Sequence, residues 1–162
     1  MDEYKIWRNL LMRKLVLLGV AVVALFALVA CSARESITAN QFETRMTGLG
    51  YSVEDVTGYV EMLGLVSYRI AYQDDIFVEF FVFESDRLAI QLFNNMQNML
   101  MVGSRGSASS YRTSSASNFN RISHTSGGQF VFVGRVDSTV LIVATDASNR
   151  SVADEVINLI GY

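Results

Sequence analysis

Sixteen consecutive apolar residues, Leu15 to Ala30, follow the basic pair Arg13-Lys14 and end at Cys31, the only cysteine in 162 residues. A run without a polar face does not make the amphipathic helix of a small soluble domain. It therefore belongs to a membrane or to an export signal, and the fold must be built from the residues after Cys31. A basic start, an apolar middle and small residues before a cut site are the parts of a secretory signal peptide. The alternative is an uncleaved anchor. Seventeen apolar residues, counting Cys31, stand at the short end of the roughly 17–25 that span hydrocarbon. Asp2 and Glu3 are unusual in a basic leader, and Met12-Arg13-Lys14 would make a cleaner beginning.

The box Leu28-Val29-Ala30-Cys31 resembles the lipobox of bacterial lipoproteins, over about Met12 to Ser32. The resemblance implies that residues 1–30 are a lipoprotein signal peptide and that Cys31 is lipidated and becomes the mature N-terminus. It also implies a chain held at the extracytoplasmic face of the cell membrane. Residues 31–37 then read as a lipidated tether and 38–162 as a single α+β domain.

The 132 residues left after cleavage suffice for one domain. They hold nine arginines and no lysine against fourteen carboxylates, a formal charge of −5. Such a balance lacks the footprint of a nucleic-acid binder and offers no polybasic patch to reinforce a lipid anchor. With its one cysteine claimed by the lipobox, the domain has no disulfide or thiol nucleophile. Packing must stabilise it, and fifteen aromatic residues after Cys31 supply the material.

Thr38-Ala39-Asn40-Gln41 has the spacing of a capping box and starts a helix with Phe42, Met46 and Leu49 on one stripe, ending at Gly48 and Gly50. A short strand comes next, over Tyr51 to Val56. Leu65 to Tyr72 and Ile76 to Phe83 are strands joined through Gln73-Asp74-Asp75, the second apolar on both faces and therefore central. Ser85-Asp86 opens a helix carrying Leu88, Leu92, Phe93, Met96 and Leu100 inward, ending near Gly103. Residues 103–118 contain seven serines and read as a flexible Ser-rich loop. Three further strands, Phe119 to Thr125, Gln129 to Val136 and Thr139 to Thr145, lead to a last helix with Val152, Val156, Leu159 and Ile160 inward. Strands in runs, flanked by helices without regular βαβ alternation, predict an antiparallel sheet with about three helices packed on it. Two ββα halves, with Asp74 and Asp137 equivalent, are a further option.

The segment Gly50 to Thr57, the junction Phe81-Val82-Phe83-Glu84-Ser85 and the end Gly161-Tyr162 are similar to small lipoproteins of Gram-positive bacteria. That resemblance implies location and fold and carries no activity.

Chemistry is sparse. His124, the only imidazole, sits in a predicted strand and reads as a structural or surface side chain, and no Gly-x-Ser-x-Gly elbow occurs. Glu54-Asp55, Asp74-Asp75 and Asp154-Glu155 lack the spacing of a calcium loop, and zinc ligands are missing, so neither a metal nor a cofactor is expected. Arg105 and Arg112, in a hydroxyl-rich stretch, are the candidate anion-binding residues, because guanidinium forks and hydroxyls suit carboxylate or phosphate oxygens. The favoured reading is a membrane-anchored, non-catalytic binding or interaction module. Its partners would be the membrane, through the lipid on Cys31, and an envelope protein or small anionic ligand, with no nucleic acid. The alternative is an envelope hydrolase using carboxylate, Ser or Tyr groups that no motif singles out.

Overall fold

The hairpin signals around Asp74 and Asp137 close into the two halves of one sheet. In the computed structural model, which describes residues 34–103, 110–116 and 118–162, these four strands join three others. The elements in chain order are α1 (Ala39–Gly48), β1 (Ser52–Asp55), β2 (Leu65–Gln73), β3 (Ile76–Phe83) and α2 (Asp86–Gly103). They continue with β4 (Ser110–Ser115), β5 (Phe119–Ser126), β6 (Gln129–Val136), β7 (Thr139–Asp146) and α3 (Arg150–Ile160). Short 3₁₀ turns at Thr57–Tyr59 and Ala147–Asn149 complete the described residues. All seven strands form one antiparallel sheet in the order β1-β2-β3-β7-β6-β5-β4, so the protein is α+β.

Period-two alternation then decides which residues meet which helix. On one face Val78, Phe80, Phe130, Phe132, Leu141 and Val143 pack under Phe42 and Met46 of α1 and Ala153, Val156, Ile157 and Ile160 of α3. On the other, Phe81, Phe83, Val133, Val140 and Ile142 pack under Ala89 and Phe93 of α2. The sheet is thus covered on both sides, which is why β3 and β7 are nearly continuous apolar runs. Phe42 stacks on Phe80 with ring centroids 4.7 Å apart, and Tyr68 on Phe81 at 4.3 Å. Each such pair adds about 0.5–1.5 kcal/mol beyond area burial. The capping box forms as its spacing predicts: Gln41 N–H donates to Thr38 Oγ1 at 3.2 Å and Thr38 N–H to Gln41 Oε1 at 2.8 Å. Arg69 of β2 forms ion pairs with Asp55 of β1 and, at 3.6 Å, with Glu43 of α1, holding the sheet edge to the helix.

Four expectations are corrected. Residues 31–37 do not all behave as a tether, because Ile37 is only 7% exposed and belongs to the core under α1. Arg34 is also fastened: its Nη1 donates to the Gly161 carbonyl at 3.3 Å, its own carbonyl accepts from Asn118 Nδ2 at 2.7 Å, and its guanidinium lies over the Phe119 ring. Second, Ser110–Ser115, read as part of a flexible loop, is edge strand β4, paired with β5 from Ser110↔Thr125 to Ser115↔Asn120. The composition has too little apolar surface to build a core, but the open N–H and C=O row of β5 offers main-chain bonds that need none. Third, α3 turns a different stripe inward. Val152 and Leu159 are 46% and 49% exposed, whereas Ala153 and Ile157 are buried. Residues 153, 156, 157 and 160 have helical spacing as good as 152, 156, 159 and 160, so periodicity cannot choose between them. Fourth, the ββα halves are not equivalent beyond their hairpins, because α2 and α3 cover opposite faces.

Candidate anion-binding cleft

The β4–β5 ladder sets Arg112 opposite Ser123 and Ser114 opposite Arg121. The two arginines are therefore diagonal neighbours, a relation that places residues roughly 7–8 Å apart and their Cβ atoms somewhat closer, with the two serines at the other corners. All four residues line a cleft of about 280 Å³ between this edge of the sheet and α3, and α3 contributes Arg150, Asp154, Ile157 and Asn158. Phe132 and Ile157 supply its apolar lining. Three guanidinium groups and one carboxylate leave the cleft with a formal charge of +2, in a domain that is acidic as a whole.

Arg150 is held on two sides. Its Nε lies 3.6 Å from Asp154 Oδ2 one turn along α3, and its guanidinium sits 5.0 Å from the centroid of the Phe130 ring. Arg112 and Arg121 are exposed and form no ion pair among the described residues. Nearby, burial and then the Arg121 charge push the Arg34 guanidinium below its usual pKa.

Of the candidate residues, Arg112 reaches this cleft, while Arg105 and Cys31 lie outside the described residues. The sequence reading missed Arg121 and Arg150. Arg121 and Ser123 alternate with Ile122 and His124, which was legible as a polar strand face. Arg150 begins a helix, where the macrodipole disfavours a cation, and that misplacement was the available signal. His124 is 7% exposed and shares its strand face with Ile122, whose side chain packs in the α2-side core. The carboxylate pairs stand apart from the cleft, apart from Asp154 itself. Tyr68 Oη hydrogen-bonds to Glu79 on the α2 side, and burial, then Glu79, raises the pKa of that phenol. Among the described residues no three His, Cys, Asp or Glu side chains converge as a metal set, and no helix is long and apolar enough to cross a membrane.

No protein-family model and no curated protein matches the chain. Among solved structures, a GTP-binding regulator from Thermotoga maritima is similar at 15% identity and a TM-score of 0.47, covering 77% of this chain and 88% of that one. The extracellular domain of PknH from Mycobacterium tuberculosis is similar at 9% identity and a TM-score of 0.35, covering 77% and 90%.

Proposed function

We propose that this chain is a lipoprotein, anchored through Cys31 at the extracytoplasmic face of the cell membrane, whose domain is a non-catalytic binding module. The observation that carries the reading is the box Leu28-Val29-Ala30-Cys31, in which the single cysteine occupies the one position that lipidation requires. A single acyl chain holds a protein only marginally, whereas the two chains of a diacylglyceryl group hold it stably. The binding role is supported by the cationic cleft lying on the α3 side of the sheet while the one imidazole lies on the α2 side. A His-dependent reaction would need both in one place.

The test is metabolic labelling with a clickable fatty acid in a bacterium expressing the full chain. The wild type incorporates label and sediments with membranes, and Cys31→Ser carries no label and accumulates as precursor. Equal labelling of wild type and variant overturns the anchor.

A further inference from the structure

We infer that the cleft formed by Arg112, Arg121 and Arg150 binds the phosphoryl group of a phosphate monoester. The inference deepens the binding-module reading and rests on it for the absence of turnover, while its geometry stands independently.

The cleft carries a set of features that weaken the fold and that a dianion would repair together. Arg112 and Arg121 are diagonal neighbours of like charge on an exposed strand pair, an arrangement that repels. Arg150 occupies the first residue of α3, where the partial positive charge of the helix end opposes it, and Asp154 at 3.6 Å offsets only one of the three cations. A phosphate monoester carries about −1.5 to −2 charge near neutral pH, which matches the +2 left over. A carboxylate matches half of it. Guanidinium forks take phosphoryl oxygens two at a time, and the hydroxyls of Ser114 and Ser123 supply further donors for the third oxygen.

Size sets the rest of the ligand. At about 280 Å³ the cleft lies just below the roughly 300–1,000 Å³ of sites that enclose drug-sized molecules, so it takes the phosphoryl group and a small adjoining part of its ester. Because the site is at the open edge of the sheet, the esterified part extends into solvent or toward a lipid bilayer. The phosphoryl group can therefore come from a soluble phosphate ester or from a lipid headgroup.

The experiment uses the full chain with arginine Nε–Hε signals followed by NMR, first in a neutral detergent and then in nanodiscs. Phenyl phosphate is titrated in detergent. The expected result is a saturable shift of the Arg112, Arg121 and Arg150 signals, with Arg69 unmoved. Arg121→Gln should weaken binding by about tenfold or more, the worth of one charge-assisted hydrogen bond. Arg112→Gln, on the exposed edge strand, provides a second variant if the first disturbs folding. Nanodiscs of phosphatidylcholine with and without phosphatidic acid distinguish the sources. Shifts that appear in nanodiscs with phosphatidic acid but not in those of phosphatidylcholine, and that phenyl phosphate competes away, identify a headgroup site; shifts with phenyl phosphate and none with phosphatidic acid identify a soluble ester. Absence of saturable shifts with either probe, or identical binding by both glutamine variants, overturns the cleft. Hydrolysis of bound phenyl phosphate would leave the cleft standing and overturn the non-catalytic reading instead.

Discussion

Asp74 and Asp137 hold the same position in two hairpins, the first residue of a two-residue connection, and both have positive φ, 49° and 48°. Advancing along each strand from these aspartates makes Glu79 of β3 equivalent to Ile142 of β7. Those two residues are register partners in the sheet, so a local two-fold relates the hairpins through that pair. The relation ends where α2 and α3 leave on opposite faces.

Left-handed backbone costs an ordinary L-residue roughly 1–2 kcal/mol, which Asp and Asn reduce by local hydrogen bonding and Gly avoids. Asp74→Val and Asp137→Val should each lower stability by about 1–2 kcal/mol, whereas Asp→Asn and Asp→Gly at either site should be nearly neutral. Thermal melting of the Val, Asn and Gly variants at each site checks this. Equal melting temperatures for Val and Gly would remove the strain argument.

Gly134 in β6 exists to admit the C-terminal ring. A Cβ there would lie 2.6 Å from Tyr162 Cδ1 and 2.8 Å from Phe132 Cε1. Tyr162 cannot easily yield, since its N–H donates to the Ile157 carbonyl at 3.0 Å and its hydroxyl shares a hydrogen bond with Thr139. Gly134→Ala should cost about 1–3 kcal/mol, in the range of overpacked cores. The same change made in a Tyr162→Ala background should cost clearly less, and a double-mutant cycle measures the coupling. Additive effects would show that the ring is not the obstacle.

Alkali should destabilise the domain through its buried phenols. Burial raises the pKa of Tyr51, Tyr68 and Tyr162, with Asp74 and Glu79 adding to the first two. A folded-state pKa above the unfolded one means that the folded chain holds the proton longer. The associated stability is complete below the ordinary phenol value near 10 and is lost as pH rises above it. Denaturant unfolding as a function of pH should show stability falling above about pH 10. Tyr162→Phe should flatten that fall while costing roughly 1 kcal/mol at neutral pH for the lost bond to Thr139.

How much could be read in advance differs by element. The capping box at Thr38, the two apolar strands and both Asp turns are local signals, and the folded chain keeps them. Choosing between Val152 and Ala153 as the inward residue is not local, because both stripes fit one helix and the sheet beneath decides. The cleft was half legible for the same reason. Arg112 stood out by its hydroxyl-rich surroundings, but Arg121 and Arg150 join it only through the β4–β5 register and the placement of α3. Low apolar content in Ser110–Ser115 speaks only of side-chain burial, and the ladder bonds that order it belong to the main chain.

That ladder has its own consequence at Arg112. Its side chain is exposed, so trypsin can find it, yet a protease must take several residues in extended form, and here the backbone on both sides is paired with β5 from Ser110 to Ser115. Cleavage after Arg112 therefore requires β4 to detach. Local opening of an edge strand is less costly than global unfolding but still unfavourable, so its rate should fall well below that of the denatured chain. Mass spectrometry of timed digests of the detergent-solubilised full chain should show slow release at Arg112. Phenyl phosphate should slow it further, because a ligand held by Arg112 and Arg121 binds only while β4 and β5 are paired. Cleavage at Arg112 as fast as in the denatured chain would mean that β4 is not an ordered strand. Slow cleavage that phenyl phosphate leaves unchanged would keep the strand and remove its coupling to the cleft.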